Sequence, residues 1–103
     1  MSNAVKSGVE ELVSIELKSA NEKFPPFHSD HEGYAVILEE VDELSEEFNI
    51  IKNHLGHAWM AVKATAPNSA AEHISAIEIA AIYAACEAIQ VAAMCRKFIG
   101  AKQ

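Results

Sequence analysis

The stretch GYAVILEEVDELSEEF, residues 33–48, combines an apolar periodicity with a dense set of carboxylates. Ile37, Val41 and Leu44 recur at steps of four and three residues, which places them along one side of an α-helix. The same spacing continues to Val62, so the packing side of this helix is long. Six acidic residues are interspersed with the apolar ones. Because an unpaired carboxylate beside a core costs free energy, the stretch predicts a packed helix whose carboxylates need a compensating partner.

Two segments rich in Pro, Ser and Asn divide the chain into three parts: FPPFHSD at residues 24–30 and TAPNSA at residues 65–70. These residue types favour loops over helix interiors. Outside the two loops, the apolar spacing predicts helices over residues 5–21, 30–63 and 70–99. No alternation typical of strands competes with this pattern, so the sequence predicts an all-α fold.

Each of the two loops ends in a possible capping box, Ser29 with Glu32 and Ser69 with Glu72. In this motif the hydroxyl and the carboxylate both accept hydrogen bonds from N–H groups that the first helical turn leaves unpaired. The two boxes therefore predict where the second and third helices begin.

The second and third predicted helices are difficult to bury in a monomer. A helix over residues 30–63 is about 50 Å long, whereas a compact chain of this size has a radius of gyration of about 13 Å. Either Gly56 marks a break, or part of the helix packs on a second subunit. The third helix is apolar on nearly every side and rich in Ala, which permits close approach of backbones. We therefore expect a helical bundle completed by oligomerisation.

Composition sets further limits on function. With 103 residues, the chain is long enough for a single domain, residues 1–103. The net charge of -7 argues against binding to a nucleic-acid polymer or to an anionic membrane surface.

Charged residues interrupt the apolar segments, which predicts a soluble protein with no membrane span. Cys86 and Cys95 are nine residues apart on one predicted helix, too far to pair within it, so they indicate reduced thiols and a cytoplasmic location.

Two pairs of oxygen-bearing side chains recur at helical spacing. Glu40 and Glu43 are one turn apart on the second helix, and Glu39 flanks the same side. Glu87 and Gln90 are one turn apart inside YAACEAIQVAAM, a run of otherwise mostly apolar residues. Two helices that each offer oxygen ligands at i and i+3 can hold a divalent cation between them in a bundle. The alternatives are a solvated acidic surface on the second helix, and for Glu87 an ion pair with a basic group such as Lys63 or Arg96 of a second subunit.

The histidines and aromatic residues allow further interpretations. His54 and His57 form an i, i+3 pair that suits a transition metal, but the sequence shows no third ligand near them. Phe27 and Trp59 could stack on a nucleobase, although aromatic residues in such segments more often belong to the core.

At these residues the sequence resembles the all-α nucleoside triphosphate pyrophosphohydrolases, the MazG and dimeric dUTPase-like group. The family motif EExxE falls on residues 39–43, in a context similar to the small MazG-like proteins of phages and their bacterial hosts. The motif ExxD falls on residues 87–90, with Gln90 in place of Asp. The resemblance covers residues 21–48 and 83–99, and the separation between the two motifs is long for the family.

The resemblance implies a Mg²⁺-dependent hydrolysis of a nucleoside triphosphate to pyrophosphate and a (deoxy)nucleoside monophosphate, in a bundle of this family's type that assembles as a homodimer or homotetramer. Carried over by position, the Mg²⁺ ligands are Glu40, Glu43, Glu87 and Gln90. Glu39 becomes the catalytic residue, as a further ligand or as the base that orients the attacking water. Contacts to the substrate are expected from Lys23, His28, His31, Tyr83 and Arg96, and Lys97 is a further candidate by its charge.

Two other functions remain open. A non-catalytic helical protein that retains the family scaffold would bind a nucleotide or a protein partner without turnover, and the replacement of Asp by Gln90 favours this alternative. A purely structural oligomerisation module would bind no metal at all.

Overall fold

The computed structural model describes residues 3–102 and contains three α-helices, α1 (Lys6–Lys23), α2 (Asp30–Lys63) and α3 (Pro67–Gly100). None of the described residues is in a strand. The predicted all-α class is therefore confirmed, and the predicted helix boundaries agree with the structure to within three residues.

The start of α2 is capped as predicted. The Ser29 hydroxyl accepts a hydrogen bond from the Glu32 N–H at 3.1 Å. The Glu32 carboxylate in turn accepts from the His28 N–H at 3.2 Å, one residue before the cap. Each of these bonds satisfies a backbone donor, and together they fix the point where the loop becomes helix.

The start of α3 differs from the prediction. The helix begins at Pro67, so Ser69 and Glu72 lie inside it and the predicted capping box at Ser69 is wrong. Proline suits the first helical position because the N–H that it lacks would have no partner there, and its fixed φ is already helical. Thr65, with a φ of 56°, lies in the turn just before the helix.

The second helix runs without interruption through Gly56, so a break at this residue is wrong. A Cβ added at Gly56 would meet no atom within 4 Å. The glycine therefore weakens the helix only through its own conformational freedom, by about 1 kcal/mol relative to Ala.

The chain separates into two compact units, and the first comprises residues 3–41 and 87–102 of the described chain. It is a bundle of α1, the beginning of α2 and the end of α3. Val13, Ala93 and Met94 are buried at its centre. Apolar side chains packed around them come from all three helices and from the first loop: Leu17, Ala20, Phe27, Val36, Ile37, Ile89 and Ala92.

The second unit, residues 42–86, is a hairpin formed by the rest of α2 and the beginning of α3. Its buried residues are small, namely Ala58, Ala61 and Ala80. The large apolar side chains of the hairpin are mostly exposed, among them Leu55, Trp59, Met60, Val62, Ile74, Ile79, Ile82 and Tyr83. The sequence predicts that α3 is buried on several sides. A single chain does not provide this burial.

Among residues 3–102, α3 has the length and composition of a membrane-spanning helix. An 18-residue window of this helix has a mean hydropathy of 1.5, and 6% of that window is buried. The expectation that charged residues interrupt every apolar segment before it could span a membrane is therefore too strong for α3. Length and composition do not distinguish such a helix from one that packs against a partner protein.

Close packing of α2 on α3 in the first unit requires Gly33, which is buried. A Cβ at this position would lie 2.5 Å from Cδ2 of Phe98 and 3.0 Å from Cδ2 of Phe27. Contacts this short force at least one of the rings to move, which is the usual cost of overpacking a core.

We predict opposite effects for the same substitution at the two glycines of α2. Gly33→Ala should lower the free energy of unfolding by about 1–3 kcal/mol because the new methyl group displaces the Phe98 ring. Gly56→Ala should raise it by about 0.5–1 kcal/mol because it restores helix propensity in open space. Chemical denaturation followed by circular dichroism measures both, and equal stabilisation by the two variants would contradict the packing at Gly33.

Candidate functional site

In the first unit, α2 and α3 bring Glu40, Glu87 and Gln90 together. A carboxylate oxygen of Glu40 lies within 4.8 Å of one of Glu87, and all three side chains are half-buried. The helical spacing within α3 places Glu87 and Gln90 on one side, and the packing of α3 on α2 turns that side toward Glu40. Glu40, Glu87 and Gln90 are three of the four residues that the resemblance implies as metal ligands.

The Gln90 amide bridges the two carboxylates. When the amide is oriented to donate, its NH₂ group lies 3.0 Å from Oε2 of Glu40 and 3.0 Å from Oε2 of Glu87. Hydrogen bonds to ionised acceptors are stronger than neutral ones, so this group stabilises two like charges that would otherwise repel. Rotation of the amide by half a turn would instead present its oxygen, so that three oxygen ligands face the same point.

Glu43 lies one turn after Glu40 on α2, and it is half-buried as well. This spacing places it on the same side of α2 as Glu40. Glu43 falls in the residue range of the second unit, whereas Glu40, Glu87 and Gln90 belong to the first.

A cleft of about 520 Å³ in the first unit adjoins these residues. Its size falls in the range of small-molecule sites, about 300–1,000 Å³. Glu39, Glu40 and Gln90 form one wall, and His28 lies at the edge that the first loop contributes. The remaining lining residues are Glu16, Ala20, Phe24, Pro25, Phe27, Glu32, Val36, Met94 and Lys97.

The cleft lining also pairs a cation with an aromatic ring. Nζ of Lys97 lies 4.8 Å from the centroid of the Phe27 ring, a cation–π contact that holds the ammonium group beside the cavity. Acidic and basic groups thus line the same cleft, together with apolar surface. Because the carboxylates outnumber the one ammonium group, such a cleft would bind an anionic molecule only together with a cation.

The predicted substrate contacts are only partly brought together. His28 lines the cleft, whereas Lys23 and His31 are exposed and do not. The Arg96 guanidinium donates to the Ser14 hydroxyl at 3.0 Å and borders a separate groove. Tyr83 is exposed in the second unit.

Three charged residues of the cleft were not among the predicted site residues: Glu16, Glu32 and Lys97. The sequence predicted Glu32 only as part of the capping box. Glu16 of α1 is half-buried in the cleft wall, and its position three residues after the core residue Val13 was a usable signal. Lys97 stood out in the sequence by its charge, but only the packing shows that it faces the same cavity as Glu39 and Glu40.

Comparison with models of protein families, with curated proteins and with solved structures finds no match to this chain. The resemblance to the all-α pyrophosphohydrolases therefore stays an expectation from the sequence.

We predict that Gln90→Glu destabilises the protein in the absence of divalent cations. The variant loses two hydrogen bonds donated to carboxylates and adds a third negative charge, which should lower the free energy of unfolding by about 1–3 kcal/mol. Millimolar Mg²⁺ should restore part of this loss. Unfolding by urea, measured with chelator and with Mg²⁺, tests the prediction.

Asn53→Asp is the matched control, because it makes the same change in charge at an exposed position of α2. It should change the free energy of unfolding by no more than about 0.5 kcal/mol. An equal loss in both variants would show that net charge, rather than the contacts of Gln90, is responsible.

Proposed function

We propose that the protein is a Mg²⁺-dependent nucleoside triphosphate pyrophosphohydrolase of the MazG-like all-α type. The observation that carries this proposal is the convergence of Glu40, Glu87 and Gln90 from two helices beside a cleft of about 520 Å³. The reaction would release pyrophosphate and a nucleoside monophosphate.

The side chains present fit a hard divalent cation. Mg²⁺ prefers carboxylate and amide oxygens and keeps waters that phosphate oxygens can replace. Glu40 and Glu87 would hold it, with Gln90 turned to present its oxygen. When bound, the ion would neutralise phosphate charge and lower the pKa of a bound water.

The other residues of the cleft would position the substrate and the attacking water. Glu39 is exposed at the wall beside Glu40, where its carboxylate could accept a proton from water. Lys97 would bind phosphate oxygens, His28 would bind the same groups from the first loop, and the Phe27 ring would offer a surface for the base. The charge on Lys97 matters because the rest of the site is acidic.

The proposal includes assembly as a homodimer or homotetramer in the cytoplasm. The hairpin of residues 42–86 buries only alanines and exposes its large apolar residues, and such a surface is typical of an interface. A second copy of the chain would cover it.

A second candidate function has its own support. With the Gln90 amide oriented to donate, its NH₂ group lies within hydrogen-bond distance of a carboxylate oxygen of Glu40 and one of Glu87. An amide in this role stabilises both carboxylates without a metal ion. A non-catalytic protein could use the same cleft to bind a nucleotide without turnover.

Product analysis of a panel of ribo- and deoxyribonucleoside triphosphates, with Mg²⁺ and with chelator, distinguishes the candidates. Monophosphate and pyrophosphate formed only with Mg²⁺ would support the enzyme. Nucleotide binding by calorimetry without any product would support the second candidate. Neither binding nor product, with the protein shown to be helical, would contradict both.

We predict that Glu40→Gln lowers kcat/KM by about a hundredfold or more, because the carboxylate that would hold the cation becomes a neutral amide of the same size. Glu46→Gln, an exposed carboxylate on the same helix, should retain activity within about twofold. Release of pyrophosphate measures both variants, and circular dichroism confirms that both are folded. Equal activities would remove Glu40 from the site.

A further inference from the structure

The second unit brings three histidines together, two from α2 and one from α3. Nδ1 of His54 lies 2.9 Å from Nδ1 of His73. The ring of His57 stacks on the ring of His73, with centroids 5.3 Å apart and an interplanar angle of 22°. His54 and His73 are half-buried, whereas His57 is exposed. The sequence shows no third ligand near His54 and His57. In the structure, the facing helix α3 supplies one, His73.

The distance between the two Nδ1 atoms matches the spacing of two ligands on one metal ion. Zinc binds imidazole nitrogens at about 2.0–2.1 Å, so two nitrogens on the same ion lie about 3 Å apart at a right angle and about 3.4 Å apart in a tetrahedron. Without an ion, the contact between His54 and His73 holds one proton, with one imidazole donating and the other accepting. A metal ion would take the place of that proton, once both imidazoles carry their proton on Nε2 and both Nδ1 atoms are available as ligands.

We propose that His54, His57 and His73 form a binding site for a divalent transition-metal ion of the Zn²⁺, Ni²⁺ and Cu²⁺ class. Neutral imidazole is a preferred ligand for these ions, and three of them with remaining positions open to water make a common coordination set. His54 and His73 are already within ligand spacing of each other. The exposed ring of His57 needs a side-chain rotation to turn a nitrogen toward them.

This site is independent of the proposed hydrolase function. It lies within residues 42–86 and uses none of the carboxylates, and its nitrogen ligands favour a borderline metal over Mg²⁺. Because the ligands come from both helices of the hairpin, the bound ion would hold α2 and α3 together in that unit. Metal binding would therefore stabilise the hairpin, and the ion would not need to take part in catalysis.

Calorimetric titration of the tag-free protein with Zn²⁺, in the presence of excess Mg²⁺, tests the proposal. One Zn²⁺ should bind per chain with a Kd below about 10 μM, and the melting temperature should rise with Zn²⁺ concentration. His73→Gln should weaken binding at least about tenfold, since it removes the ligand common to both contacts. His31→Gln, an exposed histidine of the first unit, should bind Zn²⁺ as the unaltered protein does.

His57→Gln keeps the test decisive if His73→Gln does not fold, because His57 is exposed and its loss should weaken binding without unfolding the hairpin. Circular dichroism in chelator confirms folding of each variant. A Kd weaker than about 100 μM for the unaltered protein would overturn the proposal. Equal affinities for the unaltered protein and for folded His73→Gln or His57→Gln would overturn it as well.

Discussion

The close approach of α2 to α3 at Gly33 is the constraint on which the first unit depends. With no side chain at this position, α2 can lie against the rings of Phe98 and Phe27. The contact also sets the register of the two antiparallel helices: Glu40 lies seven residues after Gly33, and Gln90 lies eight residues before Phe98. The same packing that closes the core therefore brings Glu40 opposite Gln90. Glu87, one turn before Gln90 on α3, is brought to Glu40 as well.

The carboxylates beside the packing surface of α2 are compensated in a way that composition alone does not indicate. With its amide oriented to donate, Gln90 lies 3.0 Å from a carboxylate oxygen of Glu40 and 3.0 Å from one of Glu87, so an amide can stabilise both carboxylates. An Asp at the same position would add a third negative charge and would require a cation. Gln90 in this orientation stabilises the two carboxylates and, after rotation of its amide, could instead supply an oxygen ligand. This property is common to the two functions that we propose.

Periodicity predicts each helix of this protein well, because a 3.6-residue repeat is a local property. It predicts the extent of α2, residues 30–63, although it leaves a break at Gly56 open. For the carboxylates of α2 it leaves two interpretations open, a solvated surface and a cation site. It does not predict which residue of α3 faces which residue of α2, since that register depends on tertiary packing. The approach of His73 to His54 was missed for this reason, as was the position of Lys97 in the cleft. The start of α3 was missed because Pro67 was interpreted only as a loop residue.

We propose that Glu40, Glu87 and Gln90 form a divalent metal site next to a nucleotide cleft. The most direct test is a crystal structure with Mn²⁺ and a non-hydrolysable triphosphate, using anomalous scattering to locate the metal. We expect a Mn²⁺ peak between Glu40 and Glu87, a rotated Gln90 amide with its oxygen toward the metal, and phosphates directed toward Lys97. An ordered site without a metal peak, in which the Gln90 NH₂ group still donates to both carboxylates, would contradict it.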